Sequence, residues 1–222
     1  MSEGKSNEIF MFPKWSWVLR PAVAIGAAGG LLYAAVIVTF GFSPQATDVG
    51  YAPVQPVPYS HALHVGQLGM DCRYCHSAVE MTAHAAVPPT QTCMNCHSMI
   101  RAASEKLIPV RESYATGLPV EWVKVHDLPD YVYFNHSAHV RRGVGCVSCH
   151  GRIDTMEVVT QVEPLSMGWC LECHREPERH LRPLEFVTQL DWVPGEDQLV
   201  LGRRLREQND INPPQDCSTC HR

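Results

Sequence analysis

The chain has 222 residues and a mass of 24.8 kDa, with 45% hydrophobic and 18% charged residues. Its 18 Lys and Arg against 23 Asp and Glu leave a net charge of -5, which excludes a general nucleic-acid binder, because such proteins need a basic face. It holds no phosphate loop, dinucleotide fingerprint or His-Glu-x-x-His motif, and its 17 prolines and 15 glycines predict short elements joined by long turns.

Residues 1–20 form a charged N-terminal segment with Lys5, Lys14 and Arg20. Residues 21–42 then run without a charge. At about 1.5 Å rise per residue that stretch spans about 33 Å, slightly more than a hydrocarbon core. It exceeds the apolar region of a signal peptide, about 7–15 residues, so a retained membrane helix is expected. No Lys or Arg follows until Arg73. The positive-inside rule therefore predicts a cytoplasmic N-terminus and a C-terminal domain outside. Trp15 and Trp17 fit an aromatic belt on the inner side, with Phe40 and Phe42 as weaker markers outside. Ala22, Gly26, Gly30 and Ala34 form a ridge of small residues, which either admits a second helix or reflects the ordinary composition of such spans. The span has no ionisable residue, so nothing in it accepts a proton.

Residues 43–58 carry prolines at 44, 53, 56 and 58 and predict an extended, semi-rigid linker. It either holds the following domain off the membrane or runs across a partner's surface.

From residue 59 onward the cysteines dominate. All 10 fall in five copies of one pattern: Cys72-x-x-Cys75-His76, Cys93-x-x-Cys96-His97, Cys146-x-x-Cys149-His150, Cys170-x-x-Cys173-His174 and Cys217-x-x-Cys220-His221. A Cys-x-x-Cys pair alone also suits zinc, a redox dithiol or a disulfide. The histidine that follows decides, since chance would place one there about once in twenty. The pattern is the attachment signature of c-type haem: two thiols add to the porphyrin vinyl groups, and the adjacent histidine supplies the proximal iron ligand. The expected cofactors are five covalently bound c-type haems. Their attachment is expected on the outer face of a bacterial cytoplasmic membrane, which agrees with the predicted orientation.

Residues 59–222 then offer roughly 33 residues per haem, too few to bury five porphyrins separately. The haems are expected to pack together as the core. The predicted fold is a multihaem cytochrome of low regular structure, short α-helices and coil around haem, behind one N-terminal transmembrane helix. Internally, Tyr59-Ser60-His61-Ala62-Leu63-His64 repeats as Phe134-Asn135-His136-Ser137-Ala138-His139 at an offset of 75 residues. The next two pairs of motifs follow at offsets of 74 and 77. Two two-haem units, about 59–110 and 134–180, are expected, plus a single-haem segment at 181–222.

Five proximal histidines leave seven others: His61, His64, His84, His126, His136, His139 and His180. The aromatic-polar-His-x-x-His segments resemble those of class III and cytochrome c7 multihaem cytochromes. That resemblance implies that His61 ligates the haem at Cys72 and Cys75, and His136 the haem at Cys146 and Cys149. It implies that His64 and His139 reach across to other haems. His126 is expected as the fifth distal ligand, with His84, His180 and Met167 in reserve. Arg73, Arg141, Arg142, Arg152 and Arg175 flank the motifs and either pair with haem propionates or stay solvated.

The layout, with residues 125–140 and the segment Met167-Gly168-Trp169-Cys170-Leu171-Glu172-Cys173-His174-Arg175, resembles the pentahaem cytochrome subunit of bacterial alternative complex III. That resemblance implies an electron-transfer role in a respiratory or photosynthetic quinol-oxidising complex, towards a periplasmic cytochrome or terminal oxidase. It implies as partners an iron–sulfur subunit, quinol-binding integral membrane subunits and a monohaem cytochrome, besides the lipid bilayer, with no substrate-converting site of its own. Two alternatives stand beside it: a self-standing membrane-anchored quinol dehydrogenase feeding a periplasmic reductase, and a multihaem reductase. The second needs an open distal position, which the supply of histidines argues against.

Overall fold

In the computed structural model, residues 13–42 and 47–221 are described, and the chain divides into two units at Ala46 and Thr47.

The first unit is a helix. A short turn over Lys14–Val18 leads into α1 (Leu19–Gly41). Trp15–Gly41 is long and apolar enough to cross a membrane, with a mean hydropathy of 2.1. None of its side chains is buried by protein. A helix apolar on all sides fits a hydrocarbon surround better than water. Lys5 and the rest of residues 1–12 lie outside the described residues, as do 43–46.

The second unit, Thr47–Arg222, has eight short helices: α2 (Cys72–Cys75), α3 (Thr90–His97), α4 (Ile108–Thr116), α5 (His136–Val140), α6 (Val147–His150), α7 (Met167–Arg175), α8 (Gln198–Gln208) and α9 (Cys217–Cys220). Among the described residues there is no strand, only the isolated antiparallel bridges Val132–His221 and Val144–Leu181. The expected fold of short helices and coil is the observed one.

The proline-rich stretch from Thr47 is fastened to this unit. Gly50 N donates to Gln161 O (2.8 Å), Gln161 N to Tyr51 O (3.0 Å) and Gln55 Nε2 to Val123 O (2.8 Å). Val57 is buried. These bonds satisfy an extended backbone that has no ladder of its own.

The protein core is small. Eight hydrophobic side chains are buried among the described residues: Val57, Val110, Val140, Leu181, Val187, Leu190, Leu201 and Ile211. Close approach of backbones compensates in places. Helix α8 lies on the turn Pro177–Arg179 with Gly202 against the Glu178 backbone, where a Cβ would overlap main-chain atoms. Gln198 Nε2 donates to Glu178 O and Leu181 O (both 2.8 Å), and Arg206 Nη1 lies 2.7 Å from Glu178 Oε1. Gly202→Ala should therefore part α8 from this turn and lower unfolding free energy by about 1–3 kcal/mol. A denaturant titration followed by circular dichroism measures it.

Candidate haem attachment and ligation sites

Each Cys-x-x-Cys-His motif folds as about one helical turn. Positions i, i+3 and i+4 of a helix share a face, so both thiols and the imidazole are presented together. Side-chain caps start most of these turns. Asp71 accepts from Arg73 N (2.8 Å) ahead of α2, Ser166 from Trp169 N (3.3 Å) ahead of α7, and Asp216 from Thr219 N (3.0 Å) ahead of α9. Asn135 caps α5 by accepting from Ala138 N (3.3 Å), which sets up His136 and His139.

All ten thiols are free, and no group of three or more His, Cys, Asp or Glu among the described residues is arranged to hold a bare metal ion. Burial pushes the Cys75, Cys93, Cys170 and Cys173 thiols up and takes Cys149 to about 12. A redox dithiol needs the opposite, a stabilised thiolate; Cys146 alone is drawn down, chiefly by its contact with Cys72, which belongs to a different motif.

The histidines carry a common device. Nδ1 donates to a main-chain carbonyl in His64 (Ser60 O, 2.8 Å), His76 (Ala86 O, 2.7 Å), His97 (Ile100 O, 2.9 Å), His136 (Ala83 O, 2.9 Å), His139 (Asn135 O, 2.8 Å), His174 (Pro214 O, 2.6 Å) and His221 (Tyr131 O, 3.2 Å). A carbonyl only accepts, so the proton sits on Nδ1 and the Nε2 lone pair is left for a metal.

Three pairs of imidazoles also lie close, one edge-on (67°), one tilted (45°) and one near-parallel (11°). His64 and His97 have centroids 6.2 Å apart, His139 and His174 6.1 Å, and His136 and His150 6.5 Å. Two imidazoles on opposite sides of one iron, each nitrogen about 2 Å from the metal, place their centroids roughly 6 Å apart. The donor set therefore fits bis-histidine haem. His150 is half-buried; desolvation first, then the neighbouring His126 and His136, lower it to about 3. His61 is drawn to about 4 by burial and then by His76 and His64. Both rings are neutral near pH 7, as a ligand must be.

The internal repeat recurs in space. Tyr59 stacks on His64 (4.4 Å, 19°) and meets His61 edge-on (4.8 Å, 82°). Phe134 stacks on His139 (4.5 Å, 28°) and meets His136 edge-on (4.7 Å, 87°). One aromatic side chain thus fixes both imidazoles of each His-x-x-His segment.

Other candidates are placed differently. His61 is an electrostatic neighbour of His76, with its Nδ1 buried and unpartnered. His126 lies edge-on to His150 (4.4 Å, 76°), with its Nε2 buried and unpartnered. Among the described residues no ring contact sets a second imidazole against His221, which touches Tyr131 (5.9 Å). His84 and Met167 are exposed, and His180 is half-buried. Of the flanking arginines, Arg73 pairs with Asp71 (2.9 Å) and Glu80 (3.2 Å), Arg152 pairs with Asp154 (2.7 Å), and Arg142 donates to Asn209 O (3.0 Å). Arg141 and Arg175 are exposed.

The motifs adjoin in an order unlike their order in sequence. The second meets the first through Asn95 Nδ2 and the Tyr74 hydroxyl (3.3 Å). The first meets the third across Val187 and Thr188: Thr188 Oγ1 donates to Asp71 Oδ2 (2.8 Å), Cys72 Sγ lies 3.9 Å from Thr188 O, and Cys146 N donates to Val187 O (3.0 Å). The third meets the fourth through α5, which carries His136 towards His150 and His139 towards His174. The fourth meets the fifth where His174 Nδ1 donates to Pro214 O. The series runs second, first, third, fourth, fifth. Sequence reasoning missed the bridging Val187 and Thr188, which no motif marks. It also missed Asp71 and Asp216, which the rule of an acidic cap before a helix would have found.

Covalent attachment turns and paired imidazoles on a chain of helix and coil define a multihaem c-type cytochrome domain. Residues 132–222 match the family described as cytochrome c7 and related cytochrome c, which implies covalently bound c-type haem. The chain is also 34% identical over 132 residues to the menaquinone reductase multihaem cytochrome c subunit of Nitratidesulfovibrio vulgaris. That stretch is 59% of this chain and 62% of the relative, so the chain spans less than two thirds of that protein's length.

Asp71 joins cap, Arg73 and Thr188, and the Arg73 guanidinium is the largest cause holding its carboxyl at about 2 against an ordinary 3.8. A depressed carboxylate stabilises the fold above the unfolded value and loses that effect as the folded group protonates. Asp71→Ala should cost about 1–2 kcal/mol at pH 7, and the difference from the unaltered protein should shrink as pH falls from about 4 to 2. Unfolding midpoints across that range test it.

Proposed function

We propose that this protein is a membrane-anchored pentahaem cytochrome that conducts electrons inside a quinol-linked oxidoreductase complex, of the alternative complex III type. The carrying observation is the set of close imidazole pairs with their Nδ1 protons tied to carbonyls. Such sites close the iron on both sides and leave no place for a substrate, which suits a carrier and not a reductase. The haems supply one-electron exchange when bound, and the protein sets their spacing, ligation and surroundings.

In this reading Cys72, Cys75, Cys93, Cys96, Cys146, Cys149, Cys170, Cys173, Cys217 and Cys220 hold the five haems. His76, His97, His150, His174 and His221 are proximal ligands. His64 serves the second haem, His136 the third and His139 the fourth, with His61 serving the first. His126, beside His150, is held as a further distal candidate. The series of adjoining motifs makes the second and fifth haems the ends of the conductor. α1 anchors the chain with its N-terminus in the cytoplasm and the haem domain in the periplasm, on the support of Lys14 and Arg20 before the span. Partners are an iron–sulfur subunit, quinol-binding membrane subunits and a monohaem cytochrome.

The relative named for menaquinone reduction favours a second reading, in which electrons run towards the quinone. The complex purified from membranes distinguishes the two: preferential oxidation of added quinol by a periplasmic acceptor supports the first, preferential menaquinone reduction the second. Quinol oxidation by the isolated chain would instead support a self-standing dehydrogenase.

A pyridine haemochrome assay should count five haems per chain, and low-temperature EPR should show low-spin signals from the four haems assigned two histidines. More than one high-spin haem in every chain would overturn the carrier reading. Removing one distal ligand is the sharper test: His139→Ala should convert one haem in five to high spin and leave the other signals in place.

A further inference from the structure

One cation without an anion lies against the third attachment motif. Arg182 N donates to Gly143 O (2.8 Å), and its Nη1 donates to the carbonyls of Phe186 (3.3 Å) and Gln189 (2.8 Å). Its Cζ lies 5.2 Å from the centroid of Trp192. Its Nε is buried and meets no acceptor. The side chain presses on Gly145 so closely that a Cβ there would overlap the guanidinium. Gly145 precedes Cys146, so the charge is held beside the thiol that would carry the third haem.

Arg73, Arg152, Arg179, Arg204 and Arg206 each face a carboxylate. Arg111 and Arg142 have carbonyl partners, as Arg182 does, but among the described arginines only Arg182 has a buried side-chain nitrogen that meets no acceptor. Arg182 takes part in no ion pair among the described residues, and burial draws its pKa below the usual range, with Cys146 opposing. A half-buried charge with only carbonyl and ring partners keeps part of its field, because no protein carboxylate neutralises it and water reaches it on one side only.

We propose that Arg182 is a tuning residue that holds the potential of the haem attached at Cys146 and Cys149 above the value it would have without that charge. Reduction of a haem adds one electron and lowers the positive charge at the iron by one. A fixed cation beside it favours the reduced form. Gly145 gives the guanidinium room, while the Gln189 and Phe186 carbonyls and the Trp192 face hold it in place.

The proposal rests on the pentahaem reading, and a haem count on the full-length unaltered protein checks that separately. Potentiometric titration of the same protein then tests Arg182. In Arg182→Gln one of the five components should move to lower potential, with smaller movements in its neighbours. Arg182→Lys, which keeps the charge, should retain most of the original value. Gln189→Glu, which adds a carboxylate on the residue whose main-chain carbonyl accepts from the guanidinium, should also lower one component and decides the matter if Arg182→Gln fails to hold five haems. Unchanged potentials in a five-haem Arg182→Gln protein would overturn the proposal. So would an equal shift in Arg182→Lys, since that would mark a clamp and not a charge, or an unmoved Gln189→Glu.

Discussion

A main-chain carbonyl that takes the Nδ1 proton of an imidazole does two things at once: it fixes the ring's rotation and it delivers a neutral Nε2. Seven histidines of this chain are held that way. Some of these carbonyls lie at the start of the histidine's own helix, as Ser60 and Asn135 do, and others come from distant loops. His76 needs Ala86 ten residues on, and His174 needs Pro214 forty residues on. A regular helix would have used those carbonyls internally. The loops between the motifs therefore orient these two rings, and they replace secondary structure that a chain with a larger apolar core would build.

The same economy explains the close backbone contacts. Eight buried hydrophobic side chains, most of them valine and leucine, are a small core for the residues from Thr47 onward. Where side chains are few, backbones meet directly: Gly66 against Asp154, Gly143 against Arg182, Gly202 against Glu178. Gly143 also adopts a φ of +80°, which a side chain would strain. The glycines spaced through 143–145 let α5 turn into α6, and this turn brings His139 and Cys146 to neighbouring sites.

Much of the site was legible in the sequence, because its chemistry depends on spacing that does not vary with fold. Two thiols and an imidazole at i, i+3 and i+4 make one surface on any helical turn. The repeat was equally visible, and the aromatic residue heading each His-x-x-His segment had a meaning that only geometry revealed: Tyr59 and Phe134 brace both rings. The single apolar span and the absence of strands among the described residues also followed from composition. What lay beyond reach were contacts between residues far apart in sequence. Thr188 joins Asp71 across 117 positions, and Gln55 joins Val123 across 68. Neither residue belongs to a motif. Counting ligands called for a fifth distal histidine but named no partner for it; the structure sets the His126 ring beside His150.

The repeat and the order of motifs constrain one another. If the two His-x-x-His units are equivalent, their first motifs should relate to each other as their second motifs do to the outside. Cys72 and Cys146 are equivalent positions, and they meet across one short segment, Val187 and Thr188. The second and fourth motifs then lie outward of that junction on either side. Such a pair of units alone would have two like ends. The fifth motif removes the symmetry, because it adjoins the fourth through Pro214 and His174 and has no counterpart beside the second. The segment after residue 180 supplies that difference, and the same segment supplies Arg182, Val187 and Thr188 at the junction. One stretch of chain without a repeat partner thus both joins the two units and makes them unequal.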